Sequence, residues 1–111
     1  RVVEAMVRGC RAAANLRKPL SLTQMLDLPG VDVGKTKLNS ICKQHLHGLT
    51  GKQYMKRCRM VCVNASLVRG EFKTVEEART AHRFNGKGDF YSDYFGQFGE
   101  MPLNTLRRYK T

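Results

Sequence analysis

Tryptophan is absent from this chain, proline occurs three times, and acidic residues are scarce where basic ones are dense. Residues 1–70 hold 13 Lys/Arg against only Glu4, Asp27 and Asp32, a balance of +10. Residues 71–111 hold seven against six, a balance of +1. No run approaches the ~20 apolar residues that span a bilayer. No segment pairs a Lys/Arg face with a broad Trp/Phe/Leu face, so a membrane role is not expected. A catalytic constellation is lacking as well. His82 near Asn85 is too little for a nuclease. Glu76 and Glu77 are neighbours, so on a helix they point about 100° apart and cannot work as a facing pair. No enzyme activity and no cofactor are expected.

What is present is a net charge of +11 on 111 residues. Self-repulsion makes such an imbalance costly unless a polyanion offsets it. Phosphate backbones do this through Coulomb attraction and counterion release, without a sequence code. The leading expectation is therefore a non-enzymatic nucleic-acid binder, DNA more than RNA. Its phosphate contacts are expected from Lys35, Lys37, Lys52, Lys56, Arg57, Arg59, Arg69 and Lys73. Two alternatives stand beside it: an RNA-binding structural subunit of a ribosome-like particle, and a module for an acidic protein partner. The dense aromatic stretch at 90–98 suits packing or protein docking, the latter through Phe90, Tyr91, Tyr94 and Phe95, because Asp89, Asp93 and Glu100 among them repel phosphates.

Four cysteines (Cys10, Cys42, Cys58 and Cys62) read as reduced intracellular thiols, since this length supports a core without disulfide staples. Cys42-x-x-His45, followed by Cys58-x-x-x-Cys62, has zinc-like ligand counts. Yet Cys42, Cys58 and Cys62 fall on apolar helical stripes, where cysteine acts as a small hydrophobe. No metal is assigned, and the sequence leaves zinc binding open.

The length fits a single small basic domain, 1–111, with a helical lobe at 1–48 and a hairpin or helix lobe at 51–111. Apolar residues at three- and four-residue spacing predict a helix over 2–16. Ser21 with Gln24 forms a capping-box pattern, predicting a short helix over 22–28 that Pro29-Gly30 stops. A helix from about Lys35 to His47 buries Leu38, Ile41, Cys42 and Leu46, and Gly48 ends it. Thr74 with Glu77 predicts a helix over 75–84. Residues 89–98 read as short helix or loop, and 102 onward as a tail. No internal repeat is visible.

Residues 51–70 have two readings. As a helix, Tyr54/Met55, Cys58, Val61/Cys62, Ala65 and Val68 form one stripe. As a hairpin, Arg57–Val63 and Leu67–Phe72 are strands, with Val61, Val63 and Val68 favouring β. The fold expected is α+β: N-terminal helices and a β-hairpin at 57–72 packed on the helix at 75–84. An all-α fold is the alternative.

Gly30-Val31-Asp32-Val33-Gly34-Lys35-Thr36 has three residues between its first glycine and Gly-Lys-Thr. A phosphate-binding loop needs four for its amides to curl around the phosphates. Leu28-Pro29-Gly30-Val31, with Gly34-Lys35 opening a helix, resembles the helix-hairpin-helix family over about 22–46. That resemblance implies backbone amides presented to a DNA phosphate. An ordinary Pro-Gly turn, with Asp32 capping the next helix, accounts for the same residues.

Gly70-Glu71-Phe72-Lys73-Thr74 followed by Glu76-Glu77-Ala78 resembles the apetala/ethylene-response-factor and phage-integrase type of DNA-binding domain, over about 57–82. The resemblance implies a three-stranded sheet in the major groove, braced by a helix. It would turn Arg57, Arg59 and Arg69 toward DNA and make Phe72, Ala78 and Ala81 core. A staple-and-cap reading of Phe-x-Thr-x-x-Glu accounts for the segment without the family.

Overall fold

The structure, a computed structural model, describes residues 1–109 and leaves out the side chain of Lys87. Among the described residues seven helices form in chain order: α1 Val2–Asn15, α2 Leu22–Leu26, α3 Lys35–His45, α4 Gly51–Val68, α5 Val75–Ala81, α6 Lys87–Phe98 and α7 Pro102–Tyr109. No strand occurs among the described residues. The α+β expectation is thereby corrected: residues 57–68 lie inside α4, and no hairpin forms at 57–72. The local reason sits at the start of α4. Thr50 and Gln53 make a capping box: the Gln53 amide donates to Thr50 Oγ1 at 3.2 Å, and the Thr50 amide donates to Gln53 Oε1 at 2.9 Å. Two orphan amides are satisfied there, so a helix starts at Gly51 and runs on through the segment expected as strand from Arg57. The expected tail is also helix, as α7; Lys110 lies outside the described residues.

The chain divides into two compact units, 1–59 and 60–111, with the division inside α4. In the first, α1, α2 and α3 pack on one another. Met6, Cys10, Met25, Val31, Leu38 and Cys42 are fully buried in it. Ser21 and Gln24 cap α2 reciprocally, as their spacing predicts. Leu28-Pro29-Gly30-Val31 then closes a turn, the Val31 amide donating to the Leu28 carbonyl at 3.1 Å. Gly30 sits at φ 90°, the left-handed conformation that the third position of a type II turn requires.

In the second unit, Met60, Val63 and Leu67 of α4 join Val75, Ala78, Phe84, Phe90, Tyr94 and Leu106 in one apolar core. Val61 and Val68, which a single stripe along α4 would bury, are exposed. Phe90 and Tyr94 are buried too, which corrects their assignment to a docking surface; of that group, Phe95 is exposed and Tyr91 half-buried. The Tyr94 hydroxyl accepts from Asn64 Nδ2 at 2.9 Å and donates to Thr105 Oγ1 at 2.7 Å. Thr105 in turn donates to Glu100, which also pairs with Arg108.

Helix ends are set by left-handed residues. The Glu71 amide donates to the Ser66 carbonyl at 3.1 Å and the Gly70 amide to Leu67 at 3.1 Å, a Schellman end for α4 with Gly70 at φ 69°. The same pattern closes α5 at Arg83, φ 63°, so this helix stops at Ala81 rather than 84.

Two stability outcomes follow. Gly70→Ala should cost about 1 kcal/mol, because a Cβ is strained in the left-handed region although nothing lies within 4 Å of it. Gly96→Ala, in the exposed interior of α6, should instead add roughly 0.5–1 kcal/mol. Denaturant melts of both variants check this, and equal effects would contradict the Schellman assignment. The second concerns pH. The Thr105 hydroxyl, and after it Arg108, hold the Glu100 carboxyl below the ordinary value of 4.5. A lowered folded-state pKa stabilises fully above the unfolded value and fades as pH falls below it. Glu100→Gln should therefore lower the melting temperature near neutrality, and the deficit should shrink as the pH drops below 4.5.

Candidate nucleic-acid interface

The first unit carries 12 Lys/Arg against three acidic residues, a balance of +9 over residues 1–59. Within it, α3 shows how the fold sorts charge. Leu38 and Cys42 are fully buried, which fixes the rotation of the helix. At 100° per residue, Thr36, Lys37, Ser40, Lys43 and Gln44 then fall within about 120° of arc on the opposite side. All five are exposed. The result is a helix face of cations and hydrogen-bond donors.

Gly34 is the N-cap of α3 and makes no side-chain cap. Asp32 is therefore not the cap that the Pro-Gly-turn reading expected; it is exposed at φ 43°. The first amides of α3 carry the positive end of the helix dipole, with exposed Lys35 and Lys37 beside them.

The eight expected contact residues do not form one cluster. Lys35 and Lys37 lie on α3, and Lys52, Lys56, Arg57 and Arg59 on α4, all in the first unit. Arg69 and Lys73 belong to the second. Lys52, Lys56 and Arg59 share a helical stripe, while Arg57 points about 100° away from its nearest member. Lys52 and Arg57 are exposed, whereas Lys56 and Arg59 are half-buried. Burial lowers the pKa of the Arg59 guanidinium. Arg69 is exposed but paired with Glu71 at 2.9 Å. Sequence reasoning passed over Thr36, Ser40, Lys43 and Gln44. Their signal was the helical period, which places them opposite Leu38 and Cys42.

Other candidate chemistry is accounted for by packing. Among the described residues, no group of three or more His, Cys, Asp or Glu is placed to hold a metal ion. The Cys42 thiol donates to Met6 Sδ at 3.2 Å inside the core. Burial, then Cys58 and Cys42, push the Cys10 thiol up to about 12, and burial raises Cys42 as well. In the second unit, Ser66 Oγ lies 2.8 Å from His82 Nε2, both buried. The Ser66 hydroxyl also donates to the Cys62 carbonyl at 3.0 Å.

No family model matches the chain, and no solved structure matches it. Two curated proteins do. XylDLEGF operon transcriptional activator 1 and XylDLEGF operon transcriptional activator 3, both of Pseudomonas putida, are each 30% identical over 98 residues. The match covers 86% of this chain and 29% of each relative. The chain therefore spans less than a third of the length of the curated relatives it matches.

In the folded protein at mildly alkaline pH, Cys10 and Cys42 should resist iodoacetamide while half-buried Cys62 is alkylated first. Peptide mapping by mass spectrometry reads the order; early labelling of Cys10 would contradict its burial.

Proposed function

We propose that this chain is the DNA-binding part of a transcriptional regulator and acts without catalysis. The observation that supports it most is the exposed polar and cationic face of α3, in a unit carrying +9, in a chain whose curated relatives are transcriptional activators. Such a role places the chain inside the cell, with its DNA.

In this reading α2 and α3, joined by residues 27–34 with their Pro29-Gly30 turn, act as a helix-turn-helix whose second helix lies in the major groove. An α-helix with side chains is about 10–12 Å wide and the groove about 12 Å. In this reading, Lys35 and the first amides of α3 hold a phosphate. Lys37 and Lys43 flank the groove, and Ser40 and Gln44 face base edges. Lys52 and Lys56 contact the backbone farther along. The outward face of α6 differs: Ser92, Phe95, Gly96 and the acid Asp89 are exposed there. DNA is favoured over RNA, because the deep, narrow major groove of an A-form duplex does not admit a helix.

Electrophoretic mobility shift and fluorescence titration against duplex DNA at two salt concentrations test the proposal. Binding should weaken steeply with salt. Lys35→Ala or Lys52→Ala should weaken it on every sequence and flatten the log–log salt slope by about one. Gln44→Ala should instead alter preference between sequences, by about 1–3 kcal/mol at the affected base pair. Absence of binding at low salt, or insensitivity to all three α3 and α4 changes, would overturn the assignment.

A further inference from the structure

The second unit presents a different surface. A groove of about 620 Å³ runs between the start of α5 and α7. Val75, Tyr91, Met101, Pro102, Leu103 and Leu106 form its walls, with Lys73 and Arg107 also lining it. A second groove of about 620 Å³ shares Lys73 and Leu106 with the first and adds Val68, Phe72 and Tyr109. Large apolar side chains lie open along both: Val68, Met101, Leu103 and Tyr109 are each 38–45% exposed. An exposed apolar strip of this kind marks a site of association.

The geometry points to a docking site for an acidic, amphipathic segment of a protein partner, laid along α7 in these adjoining grooves. Charge selects the occupant. Glu76, the carboxylate in the first groove, is already held by Arg79 at 2.9 Å and by the Tyr91 hydroxyl at 3.2 Å. Arg69 is held by Glu71. The side chains of Lys73 and Arg107 have no ion pair among the described residues. The cations left over therefore call for carboxylates, and Met101 and Leu103 call for apolar side chains between them. A DNA backbone supplies the charge but nothing apolar. A second copy of a chain carrying +11 brings like charge. A helix with apolar anchors three and four residues apart and glutamates on its flanks supplies both.

The test uses the full chain, isotope-labelled, and a helical peptide of about twelve residues built from Glu and Leu, with Leu at i, i+3, i+4 and i+7. Amide shifts should concentrate at 73–76 and 101–107. Leu103→Asp and Arg107→Glu should each weaken binding about tenfold, as loss of an anchor does. Leu103 and Arg107 are exposed, and an unchanged helical circular dichroism spectrum for each variant verifies folding. Companion peptides with Ser for Leu, or Lys for Glu, should bind at least about tenfold more weakly. Three results would overturn the inference: shifts centred elsewhere or absent, equal binding of the Glu/Ser peptide, or displacement of the peptide by duplex DNA.

Discussion

The rotation of α3 is the constraint from which the proposed interface follows. A helix held by Leu38 and Cys42 has only one other side to offer, and the spacing of Thr36, Lys37, Ser40, Lys43 and Gln44 fills that side with donors and positive charge. Cys42 is fixed by sulfur-to-sulfur contact with Met6 of α1. Asn39 Oδ1 accepts from the Gly51 amide at 3.3 Å, so the same helix also helps start α4. Disturbing this seat would turn the polar face and disorganise the beginning of α4 together.

The two units solve different physical problems with the same order of parts. Each has a short helix opened by a capping box, a turn, and a longer helix. The first spends its surface on charge. The second has a larger aromatic core, built on Phe84, Phe90 and Tyr94, and a buried chain of hydroxyls ending at Glu100 and Arg108. Its six acidic residues, all from Glu71 onward, nearly balance its eight cations.

Much of the helical content was legible because its signals are local. Ser21 with Gln24 and Thr74 with Glu77 announce helix starts, and Pro29-Gly30 announces a stop. α4 was not settled, although Thr50 with Gln53 is the same signal. The β-branched residues Val61 and Val63 competed with it, and periodicity of apolar residues fits either state over so short a run. The dense aromatics at 90–98 were left between packing and docking because composition does not say which ring turns inward. Phe90 and Tyr94, four apart, form the buried edge of α6, while Phe95 is left outside.

The sequence by itself determined the sign and placement of charge, the starts of α2, α3 and α5, and the absence of any apolar segment long enough to cross a bilayer. These depend on composition and on contacts within a few residues. Only the tertiary structure decided the buried faces of α4 and α6, and which cations are half-buried or paired. Arg59 and Arg69 look alike in the sequence, yet one is half-buried and the other is tied to Glu71. The same holds for the thiols: Cys10, Cys42 and Cys58 are buried, while Cys62 is half-buried. Periodicity indicated the buried side of α3, at Leu38 and Cys42, but the degree of burial of each side chain depends on partners distant in the chain.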